Sequence, residues 1–186
     1  MNTSGPKITL ARKSGAVALA KRVQGITRLA AYVGVPAAGR RERSTQLLKM
    51  AGTAAGKRRQ KLEKAAQSDV TNAELLFIHT KGSPLRRIPA RPVLEPAIEA
   101  EGNKQAIASE LAGSVKASLA GDKEGSVKKM KRAALAGQNA ARGWFTDSRN
   151  HWAPNAPGTI KRKGSDRPLI DTGALRAAIV GIIKEE

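Results

Sequence analysis

The sequence predicts an α+β fold in which a small antiparallel β-sheet packs against two or three helices, with a basic insertion between strands. Amphipathic helical patterns, short β-prone runs and a strongly basic stretch support this prediction. The chain has 186 residues, enough for one domain with its own core. We expect residues 1–39 to form an N-terminal helix and the first strand, 40–72 a basic insertion or arm, and 73–186 the remainder of the same core domain.

The first third of the chain contains a helix pattern and two strand patterns. Ser14 is a candidate N-cap, and apolar residues follow it at helical spacing up to Ile26. The run RLAAYVGVPA then predicts a strand that ends at Pro36. Further along, AELLFIHTKGSP predicts a second strand, which ends in a turn at residues 82–84.

The segment between these two strand patterns is basic. Residues 40–64 contain nine basic residues and two acidic ones, and Gly52 and Gly56 interrupt its helix-compatible pieces. Two interpretations stay open: a solvated arm or loop, and an arm that docks on nucleic acid or another partner. In either case we expect it to become ordered mainly when a partner binds. The candidate arm residues are Arg40, Arg41, Arg43, Lys57, Arg58 and Arg59.

The second half of the chain predicts two helices. Apolar residues four apart predict a helix from Asn103 to Leu119, and a second apolar stripe predicts a helix from about Ser126 to Phe145 with a basic opposite face. Before them, the three prolines of IPARPVLEPAIE exclude a central strand. After them, we expect a long polar loop up to Gly173. The final ALRAAIVGIIKEE fits either a helix or a strand.

Composition limits the classes of function. The net charge of +19 indicates a polyanionic or acidic partner. The absence of cysteine excludes disulfides and sulfur-ligated metal sites, and His79 and His151 lack metal-ligand spacing, so we predict no cofactor and no metal. Apolar runs are too short to span a bilayer, and the N-terminal sequence lacks the apolar core of a secretory signal. We therefore expect no membrane partner and a soluble protein made in a cytoplasm.

The string LIDTGAL is the residue pattern of an aspartic protease loop, and it raises the question of catalysis. Such enzymes need two carboxylates that share a proton. Only thirteen residues follow Gly173, which leaves no room for the rest of that fold. We predict instead a structural turn, in which Asp171 and Thr172 accept backbone hydrogen bonds and Gly173 adopts positive φ, and we predict that the chain is not an enzyme.

Three strings in fixed order carry a resemblance to a known family. ELLFIHTKGSP, then IPARPVLEPAI, and finally WAPNAPGTIKRKGSDRPLIDTGALRAAI resemble the neck or tail-completion proteins of tailed bacteriophages, similar to the HK97 gp10-like group, in which PLIDTG-x-L-R-x-S-I recurs. The resemblance covers about residues 73–183. It departs at Ala178, where the family commonly has Ser, and it leaves the basic insertion out.

The resemblance implies a virion protein of the head–tail junction without catalytic activity. It implies a ring of copies, which we expect to be six- or twelve-fold, with the portal or head adaptor and the tail tube or terminator as neighbours. It also favours a strand for the final segment. A tail terminator that caps the tube, and a general basic nucleic-acid-binding protein, are the alternatives.

Two groups of residues are candidates for contacts in such a ring. The proline-rich segment suits an interface with a neighbouring subunit or the adaptor, because its backbone is fixed at low entropic cost. Its candidates are Arg86, Arg87, Ile88, Pro89, Arg91 and Pro92. A basic loop faces either packaged DNA, without reading its sequence, or acidic proteins. Its candidates are Lys161, Arg162, Lys163 and Arg167.

Overall fold

The structure, a computed structural model, describes residues 8–37 and 40–185. These residues form a mostly helical α+β arrangement of nine α-helices and one two-stranded antiparallel sheet, so the predicted class is confirmed but the helices outnumber the two or three expected. The elements are α1 (Ile8–Thr27), β1 (Leu29–Gly34), α2 (Arg40–Gly52), α3 (Gly56–Ala66), α4 (Asn72–Lys81), α5 (Leu94–Glu99), α6 (Glu101–Ala120), α7 (Lys123–Trp144), α8 (Pro157–Lys163), α9 (Ala174–Ala178) and β2 (Val180–Glu185).

The sheet joins the beginning and the end of the described chain. β1 and β2 pair antiparallel, from Leu29 opposite Glu185 to Gly34 opposite Val180. One face of the sheet packs directly on α7. A Cβ at Gly181 would overlap the backbone of Ala134, so this close approach depends on glycine.

Helices α6 and α7 form an antiparallel hairpin close to the predicted bounds. Gly121 ends α6 with φ of 88°, and the Asp122 carboxylate accepts the Gly125 N–H at 2.8 Å to begin α7. Inside the hairpin, the hydroxyl of the fully buried Ser114 donates to the Ser126 carbonyl at 2.9 Å. Both predicted helices are confirmed.

The second predicted strand is wrong, because AELLFIHTK forms helix α4. Thr71 and Glu74 make a capping box, in which the Thr71 hydroxyl accepts the Glu74 N–H at 3.1 Å and the Glu74 carboxylate accepts the Thr71 N–H at 2.7 Å. The apolar run LLFI is too short for its periodicity to distinguish a strand from a helix, so the capping box determines that the segment is a helix. The basic segment therefore connects β1 to a helix.

The basic segment itself folds as a helical hairpin of α2 and α3. Leu47 and Leu62 are fully buried and form a small apolar cluster with Ala51 and Ala174. Arg43 connects the hairpin to α4, since its guanidinium donates to the Asn72 side chain at 3.1 Å. Contrary to the expectation of an arm that orders mainly with a partner, the segment makes these contacts within one chain.

Three smaller predictions also need correction. Helix α1 already includes Ser14, which is not its N-cap. The expected polar loop up to Gly173 contains helix α8. The final segment, whose pattern fits either a helix or a strand, forms both: a short helix, α9, and then strand β2.

The main core is small and lies between α4, α5, α7 and α9. Its buried residues are Leu76, Val93, Ala97, Ala141, Trp144, Phe145, Leu175 and Ile179. Trp152 packs edge-on against Phe145, with ring centroids 5.9 Å apart. None of the helices in the described ranges has the length and apolarity needed to cross a membrane.

Candidate functional site

A groove of about 950 Å³ lies between α4, the proline-rich segment, α8 and the turn before α9. Its charged lining is predominantly basic, and Asp171 is the one carboxylate among the described residues that line it. The basic lining residues are Arg43, Arg86, Arg87, Arg91, Arg162 and Lys163. The groove is therefore a concave and positively charged surface of a size typical of ligand sites.

The groove brings together residues from every group predicted from the sequence. Arg43 comes from the basic arm; Arg162 and Lys163 come from the predicted basic loop. The proline-rich segment contributes Arg86, Arg87, Ile88, Pro89 and Arg91, and the DTG turn contributes Asp171, Thr172 and Gly173. These segments lie far apart in sequence, so only folding places them on one surface.

Other predicted residues lie outside the groove lining. Lys57, Arg58 and Arg59 are exposed on α3, where Arg59 pairs with Glu63 at 2.8 Å. Lys161 and Arg167 are exposed beside the groove, and Pro92 accepts a hydrogen bond from the Trp152 indole at 3.1 Å. The side chains of Arg40 and Arg41 lie outside the described part of the chain.

Arg91 is one of the interface candidates predicted from the sequence. Its side chain is buried, with 6 % exposure, although it borders the groove. The guanidinium donates to the Ala153 carbonyl at 2.8 and 3.1 Å and to the Pro154 carbonyl at 3.1 Å. Because these acceptors belong to its own chain, Arg91 clamps the proline-rich segment to the 152–157 loop.

Three residues of the predicted basic loop, Lys161, Arg162 and Lys163, form the last turn of α8, and Arg167 follows the helix. Basic residues are favourable at this position, because their positive charge interacts with the negative end of the helix dipole. Gly164 ends the helix with φ of 70°, and its N–H donates to the Ile160 carbonyl at 2.7 Å. The Lys163 ammonium donates to the Arg167 carbonyl at 2.6 Å. Lys163 therefore holds the loop after α8, while the Lys161 and Arg162 side chains are exposed.

A lysine that the sequence analysis did not single out connects α3 to this region. The Lys61 ammonium donates to the Lys163 carbonyl at 2.8 Å and to the Asp171 carboxylate at 3.3 Å. Burial lowers the pKa of Lys163, and the positive charges of Arg91, Lys61 and Arg162 act in the same direction, while Asp171 opposes them. The basic groups are thus close enough to repel one another, which favours the binding of an anion.

The DTG string forms the structural turn that the sequence predicts, except for the role of Asp171. Gly173 has φ of 82° and precedes the first residue of α9, and the Thr172 hydroxyl accepts the Ala174 N–H at 3.3 Å. Asp171 differs from the expectation, because its carboxylate pairs with Lys61 across the chain.

His79 is a further groove residue without a sequence signal of its own. Its Nδ1 is buried and has no hydrogen-bond partner among the described residues. Burial lowers the pKa of His79 below its ordinary value of 6.5, and the positive charges of Arg91 and Lys163 lower it further. The imidazole is therefore neutral near pH 7, and a bound anion would favour its protonated form.

Two residues of the groove have an unusual backbone. Arg87 has φ of 52° and Leu169 has φ of 57°. Both values lie in the left-handed region, which is unfavourable for residues other than glycine. Strained residues of this kind cluster at active sites, ligand clamps and switch regions. Arg87 and Arg86 are also exposed, so their guanidinium groups are available at the rim.

These features suit the binding of an anion. Exposed guanidinium groups bind carboxylates and phosphates through paired hydrogen bonds. The residues that the structure describes contain no cluster of three or more His, Cys, Asp or Glu side chains that could hold a metal ion. Comparisons with family models, with curated proteins and with solved structures find no match to this chain.

Proposed function

We propose that this chain is a structural virion protein of a tailed bacteriophage, which forms an oligomeric ring at the head–tail junction and joins the head adaptor to the tail. The ring belongs to the neck or completes the tail, and it has no catalytic role. The basic groove is its docking surface for acidic neighbours or for packaged DNA, which it contacts without reading sequence.

One observation carries the proposal: the strings that resemble neck and tail-completion proteins pack on one another. The Arg91 guanidinium of the IPARP string donates to the carbonyls of Ala153 and Pro154 in the WAPNAP string. The Trp152 indole donates in the other direction to the Pro92 carbonyl at 3.1 Å. These reciprocal bonds give a physical reason for the two strings to occur together, because each holds the other in place.

The groove provides a second argument for a docking role. It gathers basic groups from three separate segments of a chain whose net charge is already +19. Bringing like charges together costs free energy, which a polyanionic or acidic partner offsets on binding. A bound partner of this kind would therefore lower the electrostatic free energy of the groove.

The test is disruption of the gene in its phage, followed by electron microscopy of the lysate. We expect filled heads beside separate tails of normal length. Overlong or ragged tails would identify the alternative, a tail terminator. Infectious particles of normal form would refute the virion role.

A general basic nucleic-acid-binding protein is the second candidate, and the net charge of +19 favours it. Few aromatic residues, at 3 %, are available for base stacking. The discriminating experiment measures the affinity for duplex DNA as a function of salt, for the natural chain and for a variant with Lys161, Arg162 and Arg167 changed to Gln. A DNA partner at this basic loop predicts a flatter salt dependence in the variant, and acidic protein partners predict an unchanged one.

A further inference from the structure

We infer that copies of this chain associate head to tail through two complementary patches, which lie on α4 and α7. The α4 patch consists of Asp69, Val70, Ala73, Glu74, Phe77 and Ile78. The α7 face consists of Lys123, Val127, Lys128, Lys131, Arg132 and Leu135, with Glu124 at its end. The inference rests on the proposed ring and specifies which surfaces of neighbouring copies meet.

The α4 patch combines apolar and acidic side chains. Phe77 is 65 % exposed, although aromatic side chains are usually buried. Ala73 and Ile78 lie beside it, and Asp69 and Glu74 supply negative charge at the edge. The described lining of this patch contains no basic residue, in a chain where 34 basic residues outnumber 15 acidic ones. A patch of this kind is unusual on so basic a protein.

The α7 face has the same plan with the opposite charge. Leu135 is 51 % exposed, and Val127 lies with it in a shallow depression. Four basic residues surround this apolar centre. Arg132 also pairs with Glu110 on α6 at 3.1 Å, which fixes the helix hairpin beneath. An apolar centre with a charged rim is the usual construction of a protein–protein interface.

Charge determines which patches pair. Two α7 faces would place basic residues opposite basic residues, and two α4 patches would place carboxylates opposite carboxylates. Both arrangements are repulsive, whereas an α4 patch against an α7 face joins opposite charges around two apolar centres. The patches share no residue, so each copy binds two neighbours, and the contact repeats around a ring.

The small size of the patches predicts weak association in solution. Stable interfaces use roughly 20–30 residues a side, and each patch here offers far fewer. Ring closure strengthens such contacts, because the last one forms within an assembly that is already connected. The virion provides the scaffold on which closure occurs.

The decisive experiment uses the absence of cysteine from the chain. Two single-cysteine variants, Ala73→Cys and Leu135→Cys, are mixed at high concentration, one of them affinity-tagged, and oxidised. We expect the mixed 73–135 disulfide to form in at least fivefold excess over either same-site dimer. The matched control replaces Ala73→Cys with Leu48→Cys, since Leu48 is 52 % exposed on α2, outside both patches. Equal yields with the control, or predominant same-site dimers, would overturn the inference.

A charge swap tests the same contact without a covalent bond. Lys131→Glu places like charges opposite each other, and we expect it to weaken self-association roughly fivefold in sedimentation experiments. The double variant Asp69→Lys with Lys131→Glu restores opposite charges and should recover the natural affinity. If the double variant is as weak as Lys131→Glu alone, the pairing is wrong.

The same cysteine pair in purified virions separates this inference from the proposed function. A chain that is present in virions but gives no 73–135 disulfide there would refute the interface and leave the virion role intact. A chain that gives the disulfide in solution but is absent from virions would refute the virion role alone.

Discussion

Replacement of Arg91 distinguishes an internal clamp from a docking residue. Its buried guanidinium makes three hydrogen bonds to two carbonyls of the same chain. At about 1 kcal/mol net for each bond, Arg91→Ala should lower the free energy of unfolding by about 3 kcal/mol. For a chain of this length that corresponds to a fall in Tm of roughly 6–12 °C.

The measurement is urea and thermal unfolding, followed by circular dichroism. Arg91→Lys should recover only part of the loss, because one ammonium cannot reproduce the planar fork of donors. The matched control is Arg86→Ala, since Arg86 lines the same groove but is exposed; we expect a change within about 0.5 kcal/mol. If Arg91→Ala unfolds like the natural chain, the clamp argument is refuted.

Two further predictions concern the sheet contact and the groove histidine. Gly181→Ala should lower the free energy of unfolding by about 1–3 kcal/mol, because the added Cβ would overlap the Ala134 backbone. The control Gly143→Ala, at an open helical position, should raise it by up to about 1 kcal/mol. Thermal unfolding of the two variants measures both changes. Because the pKa of His79 is lower in the folded chain, the unfolded chain binds more protons below about pH 6.5, so stability should decline as the pH falls through that range and level off below the folded pKa. His79→Gln should flatten this dependence in unfolding series at several pH values, and retention of the full slope would contradict the assignment; the control His151→Gln changes an exposed histidine and should keep the slope.

The helices with long apolar patterns could be predicted from the sequence. The hairpin of α6 and α7 has an apolar stripe in each helix, and the Gly121-Asp122 break between them is a local stop and start signal. Strand β1 was predicted from its β-prone residues and from Pro36, which follows it. In each of these cases the deciding interaction lies within a few residues of the element itself.

Helix α4 was missed although a local signal existed. The string TNAE is a capping box, and it precedes the apolar run. The run itself is short, and its composition suits a buried strand as well as a helix. The capping box, more than the composition of the run, determines that this segment is a helix.

The groove could be predicted only as separate sets of basic residues. The sequence indicated the proline-rich segment, the basic residues near 161–167 and the DTG turn, but no local rule brings them together. Lys61 reaches Asp171 across 110 positions of the chain, and Arg91 reaches Ala153 across 62. Contacts of that span depend on how the helices pack.

The charge of +19, the α+β class, the α6–α7 hairpin and strand β1 can all be predicted from the amino-acid sequence. Charge and periodicity are properties of neighbouring residues, so they can be read without a fold. The different roles of Arg91, an internal clamp, and Arg86, exposed on the groove, depend on the packing of distant segments. The two arginines have the same chemistry, and their roles differ because the 152–157 loop folds over one guanidinium and not over the other.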